Sequence, residues 1–139
     1  MTDFHQEAEA SQAALLAQLA HECDRLLPAP LGLGSCDRSL VLLTVEGGRP
    51  RICATVQFSA GIVLDPGLLA EEVARRLGEL QELVGEATAC RWPLDEGTGG
   101  VVQVVRTGGV LRVRFVGATA EVRFHDIGLP PAGPSHVAG

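Results

Sequence analysis

The chain has 139 residues and a formal net charge of −6, and 46% of its residues are hydrophobic but only 4% aromatic. That length matches one domain, and the apolar content excludes a disordered chain. The charge disfavours nucleic acid and anionic membrane surfaces as partners, because an acidic chain repels polyanions at long range.

Composition narrows the chemistry further. All 11 basic residues are Arg, and Lys, Asn and Tyr are absent. These three are encoded by AT-rich codons, so their joint absence reads as the mark of a GC-rich bacterial genome. It also removes any mechanism that needs a Lys nucleophile, a Schiff base or a phosphate-binding Lys. With Trp92 as the single Trp, the core must be built from Val, Leu and Ala. No apolar run approaches the ~20 residues that span a bilayer. The start, MTDFHQEAEASQ, is polar and acidic and lacks the basic-then-apolar order of a secretory signal. The expected location is the cytoplasm, where thiols stay reduced. The four cysteines have no C-x-x-C spacing, so neither a zinc ribbon nor a thioredoxin-type site is signalled.

The first predicted element is a helix. Asp3 and Gln6 have capping-box spacing, and Leu15, Leu16, Leu19, Cys23, Leu26 and Leu27 recur in steps of three and four until Pro28 and Pro30 stop them. Residues 28–38, PAPLGLGSCDR, read as a loop. Leu40–Val45 and Arg51–Phe58 read as two strands of a hairpin turning at Gly47–Gly48, with Ile52, Ala54, Val56 and Phe58 on one face. Asp65–Pro66 opens a second helix, which the pattern Leu69, Val73, Leu77, Leu80, Val84 carries to Gly85 as its left-handed cap. Ala87–Trp92 then reads as a short strand ending at Pro93, and LDEGTGG as a loop. Val101–Arg106, Val110–Val116 and Ala118–His125 form a meander with turns at Gly108–Gly109 and Gly117. The Pro/Gly-rich segment from Gly128 reads as a tail beyond a single domain of residues 1–127.

The expected fold is therefore α+β, in the order α-β-β-α-β-β-β-β. A mainly antiparallel sheet of about six strands has both helices packed on one face. In the meander, Leu111, Val113, Phe115, Ala118, Ala120, Val122 and Phe124 should face the helices, leaving Arg112, Arg114, Glu121, Arg123 and His125 on the other side.

Five features are candidate sites. Arg106, Arg112, Arg114 and Arg123 form the candidate binding set, since clustered guanidinium groups take carboxylates and phosphates in a planar fork. The plainer reading is a solvated sheet face with Glu121 and its neighbours pairing the charge. Cys53, Cys90, His21 and His125 are types a metal accepts, but their spacing carries no ligand signature, and Cys23 and Cys90 read as small buried hydrophobes. Cys36, beside Asp37 and Arg38, is the candidate reactive thiol. The glycine segments LGLGSCDRS and EGTGGVV lack phosphate-loop spacing and do not open a helix. Asp95 and Glu96 could pair as acid and base, although solvated loop acids are far commoner. Alanines on several sides of the first helix make it a candidate interface, weighed equally against packing within the chain.

No catalytic set and no cofactor or metal is signalled. The sequence thus reads as a non-catalytic protein-binding or accessory domain whose partner is another protein or itself, as a homodimer. The alternative is a small enzyme or ligand-binding domain with a pocket between the second helix and the sheet, near Gly78 and the 93–100 loop.

Overall fold

The computed structural model describes residues 2–59, 66–95 and 99–129. Its elements are α1 (Thr2–Leu26), β1 (Leu31–Cys36), β2 (Ser39–Glu46), β3 (Arg49–Gln57), α2 (Pro66–Thr88), β4 (Val101–Thr107), β5 (Val110–Val116), β6 (Glu121–Arg123) and β7 (Ile127–Gly128). The α+β class and the antiparallel pairing are as expected. The strands, however, divide into two sheets, β1-β2-β3 and β4-β5-β6 with β7 also on β5.

Two elements depart from the sequence reading for local reasons. The segment read as a 28–38 loop contains β1, which pairs with β2 from Leu31↔Thr44 to Cys36↔Ser39. Its hairpin turn is Asp37–Arg38, with Asp37 at φ 54°, a left-handed conformation that Asp tolerates better than most residues. Gly32 and Gly34 had concealed the strand. The proposed strand at 87–92 is absent, because α2 runs through Gly85 to Thr88. There the Thr88 hydroxyl donates to Val84 O (2.8 Å) and accepts the Cys90 N–H (3.1 Å), while Ala89, at φ 59°, takes the left-handed position assigned to Gly85. The Asp65 cap lies outside the described residues.

A β-bulge corrects the alternation of β3. The register slips between Leu42 and Leu43, so Leu42 faces Ala54 while Leu43 faces Ile52. Cys53 is the extra residue. Ala54, Val56 and Phe58 stay on the core side, and Ile52 is turned away and 65% exposed.

The meander holds in register, from Val101↔Val116 to Thr107↔Val110. Leu111, Val113, Phe115 and Phe124 are buried, as expected, but Ala118 and Ala120 are exposed in the turn closed by Gly117 N–H to Ala120 O (2.8 Å). The last strand breaks into β6 and β7, which flank β5 on the same edge. The break falls at His125, whose N–H goes to the Glu22 carboxylate (2.7 Å) instead of to a strand. Gly128, expected in the tail, belongs to the fold: its N–H and C=O bond the two ends of the Gln18 amide at 3.1 and 3.0 Å. Residues 130–139 lie outside the described set.

One hydrophobic cluster joins both sheets through the helices, because α1 packs on β1, β2 and β7 while α2 packs on β3 and β4. Leu15, Leu16, Leu19 and Cys23 of α1 and Leu69, Val73, Leu77, Leu80 and Val84 of α2 are buried, so both periodic stripes were read correctly. Polar clamps complete the assembly. The Glu72 carboxylate accepts the N–H and hydroxyl of Ser59 (3.0 and 3.1 Å) and Arg76 Nε (3.0 Å), and the Gln12 amide donates to Ser59 O (3.0 Å). Both helices therefore hold the end of β3.

The buried Glu22 acts likewise on the C-terminal strands. Burial by itself opposes its ionisation. Arg25, the His125 backbone N–H and the His125 ring outweigh that and lower its carboxyl from 4.5 to about 2. A carboxyl lowered on folding stabilises the folded state above its unfolded value. That contribution is lost as pH falls from about 4.5 through about 2. We expect Glu22 to supply on the order of 3 kcal/mol of acid-sensitive stability. Urea unfolding of the parent and Glu22→Gln between pH 5 and pH 2 checks this. The difference between the two should shrink steadily on acidification, and a constant difference counts against it.

Candidate functional site

The outer face of the second sheet is where the sequence placed its binding residues. Cross-strand pairs share a face, so Arg112 (opposite Val105), Arg114 (opposite Gln103) and Arg123 (opposite Arg114) stand together, away from the core. All three are substantially solvent-accessible. Arg106 does not join them: it lies opposite Leu111, on the other side of the sheet, at the exposed end of β4.

The three arginines have carboxylate partners. Arg112 is 3.8 Å from Asp126, Arg114 is 3.8 Å from Glu121 and donates to Gln103 (2.8 Å), and Arg123 hydrogen-bonds Glu121. The Arg123 contact holds the Glu121 carboxyl below its usual range. Three guanidinium groups set against two carboxylates leave little free charge, so the face is a weak anion site.

The cysteines are scattered. Cys23 is buried, and burial pushes its thiol well up, away from reactivity. Cys90, read as a buried hydrophobe, is exposed in the loop after α2, as are Cys36 at the end of β1 and Cys53 at the bulge. Among the described residues no three His, Cys, Asp or Glu side chains converge as a metal site. His125 is engaged with Glu22 (3.1 Å). Glu96, the proposed partner of Asp95, lies outside the described residues.

The first helix directs its polar side chains at its own chain: Gln12 to Ser59, Gln18 to Gly128, Glu22 to His125, and Asp24 to the Leu33 N–H (2.9 Å). Ala20 is buried with the leucines, while Ala10, Ala13, Ala14 and Ala17 are exposed.

An open cleft of about 1030 Å³ lies between the second helix and the first sheet, on the side where the alternative reading of the sequence set a pocket beside the 93–100 loop. One wall is the core-side face of β2 and β3, with Leu42, Thr44 and Ala54. The other is the end of α2, with Leu83 and Ala87. Leu26–Leu31 and Cys90–Asp95 close the ends. Gly78 is not part of the lining. The floor is apolar, with Trp92 beneath it, and the charged groups Glu46, Glu86, Arg91 and Asp95 are exposed at the rim.

Trp92 sets the cleft's position. Its indole Nε1–H donates to Leu26 O, the last residue of α1, at 2.9 Å, and its ring meets Phe115 edge-on with centroids 5.7 Å apart. Phe115 in turn packs on Phe124 at 5.6 Å. The loop after α2 is thereby tied to α1 and to the second sheet at once. In the sequence the site was signalled by the pocket expected between the second helix and the sheet and by a solitary Trp before Pro93 in a chain poor in aromatics. Its partners were hidden in the misassigned 28–38 and 87–92 segments.

Among the described residues no helix is long and apolar enough to cross a membrane. No family model matches the chain, and no match was found among curated proteins or among solved structures.

Proposed function

We propose that the protein is a non-catalytic, cytoplasmic binding or accessory domain that works within a dimer or larger complex and takes a segment of a protein partner in the cleft. The observation that carries this reading is the distribution of polarity in the cleft. Small-molecule sites hold a few polar groups converging inside an enclosed apolar pocket. Here the charged groups of the lining, Glu46, Glu86, Arg91 and Asp95, are all exposed, and the buried polar residues Gln12, Glu22 and Glu72 serve contacts elsewhere. An open apolar trough with a charged margin suits a peptide segment whose side chains supply the contacts. The arginine-bearing face serves as a secondary contact for an acidic partner, acting more on encounter rate than on affinity.

Two exposed thiols, Cys53 and Cys90, lie in the cleft, and a third, Cys36, lies outside it. A screen of short apolar peptides by fluorescence anisotropy should yield binders that shield Cys53 and Cys90 from maleimide while Cys36 still reacts. Leu83→Glu, which places a charge in the half-buried wall, should weaken those binders at least about tenfold. Binders that leave both cleft thiols reactive, or that bind Leu83→Glu equally well, overturn the reading.

A further inference from the structure

Strand edges are templates for pairing with other chains, and proteins defend them by covering them, shortening them, or placing proline, charge or bulges on them. The edge of β1 lies against α1, with the Asp24 carboxylate accepting the Leu33 N–H at 2.9 Å. The edge of β3 carries Arg49, Pro50, Arg51 and the bulge at Cys53. β6 and β7 are three and two residues long. β4 has none of these devices until its last turnward residues. Among the described residues its seven, VVQVVRT, pair with β5 alone and without a register break, and Val101 and Val105 are 63% and 53% exposed.

The helix seated on β4 has a matching feature. Gln81 of α2 donates to Gly100 O, at the start of β4, at 2.9 Å, so that flank of the helix lies on the β4 side. On the same flank are Ala70, Ala74 and Gly78, spaced four apart and half-exposed. A side chain added at Gly78 would meet nothing within 4 Å. The opposite flank, with Glu72 and Leu83, faces Ser59 and the cleft.

We infer that β4 pairs antiparallel with β4 of a second copy of this chain, with the two α2 helices meeting across the Ala70–Ala74–Gly78 flank. This rests on the reading of the domain as part of a dimer and names its surface. Neighbouring strands lie about 4.8 Å apart, whereas helices with ordinary side chains pack 8–10 Å apart. Two helices seated on adjacent edge strands therefore need small residues where they meet. A lone strand from another protein would satisfy the β4 edge but leave that helix flank bare; a second copy covers both. The charges also agree. Pairing centred on Val104 sets Arg106 against Val102 of the second copy, so no like charges face each other. An antiparallel crossing of α2 between Ala70 and Ala74 brings Glu71, which has no ion pair among the described residues, to Arg75 of the second copy, an arginine whose ion pair among the described residues is a 3.6 Å contact with Glu72. The two-fold makes each of these contacts twice.

Sedimentation equilibrium of the full chain should give twice the 14.6 kDa monomer mass, with a Kd below about 10 μM. Gly78→Gln adds bulk at an exposed helix position while raising helix propensity, and Val105→Lys charges the strand edge. Each should weaken the dimer at least about tenfold with the far-UV spectrum unchanged. Ile52→Lys, on the exposed face of the other sheet, should leave it intact. A monomeric parent protein, or a dimer that Ile52→Lys dissociates and the other two do not, overturns the proposal. Peptide binding in the cleft should survive Gly78→Gln, so failure of the dimer and failure of the cleft reading are told apart.

Discussion

Trp92→Ala is expected to cost about 4 kcal/mol, more than most single substitutions in a domain of this size. Three losses combine. The indole is 4% exposed, so truncation leaves a cavity among Leu26, Phe115 and their neighbours. The edge-to-face contact with Phe115 disappears. The Leu26 carbonyl also loses the donor that satisfies it at the end of α1, where helix carbonyls have no partner within the helix. Urea unfolding reads the total, and Trp92→Phe separates the parts. Phe keeps the ring contact but not the N–H, so it should recover more than half of the loss. If Trp92→Ala costs under about 1 kcal/mol, the cleft floor is not part of the cooperative core.

Gly99→Ala should be nearly as damaging, at about 3 kcal/mol or more. Gly99 sits at φ 100°, where L side chains rarely go, and a Cβ there would fall 2.1 Å from the carbonyl oxygen of Trp92. That oxygen is backbone and is held by Gln81 (3.3 Å), while the Gly99 carbonyl accepts the Leu94 N–H (3.2 Å). Neither partner can yield without opening the loop. Gly109→Ala is the control: its φ is not positive and its Cβ would meet nothing, so it should be neutral or slightly stabilising. Thermal unfolding of the two variants side by side decides the matter. Equal melting temperatures would mean that the loop around residue 99 tolerates a side chain.

These two residues show where the sequence was readable and where it was not. The apolar stripes of α1 and α2, the Gly47–Gly48 and Gly108–Gly109 hairpins and the outward register of Arg112, Arg114 and Arg123 follow from periods of 3.6 and 2, which need no knowledge of distant neighbours. The misreadings at 28–38 and 87–92 have one origin. Gly32 and Gly34 are permitted in β1 because hydrogen bonds to β2 compensate for their poor strand preference, and α2 continues through Gly85 because Thr88 caps it further on. Both outcomes depend on contacts that local propensity does not encode.

The candidate binding residues were half legible. The side of the sheet was predictable for Arg112, Arg114 and Arg123 but not for Arg106, which lies opposite Leu111, and the carboxylates of Glu121 and Asp126 that pair with the three depend on the fold of the last strands. Glu22 and Glu72 carried no signal at all. A Glu beside an apolar stripe ordinarily reads as solvated, and only the arrival of Ser59 and His125 makes these two the buried anchors of the strand ends.

By itself the sequence determined the class of fold, the two helical stripes, the glycine hairpin turns at Gly47–Gly48 and Gly108–Gly109 and the face on which most residues of β5 sit, because these are set by chain geometry within a few residues. The tertiary structure alone decided the division into two sheets, the burial of Glu22 and Glu72, the seating of Trp92 beneath the cleft and the edge of β4 that the described residues leave uncovered. Each of those is a meeting of segments far apart in the chain, and its free energy comes from a partner that no local pattern specifies.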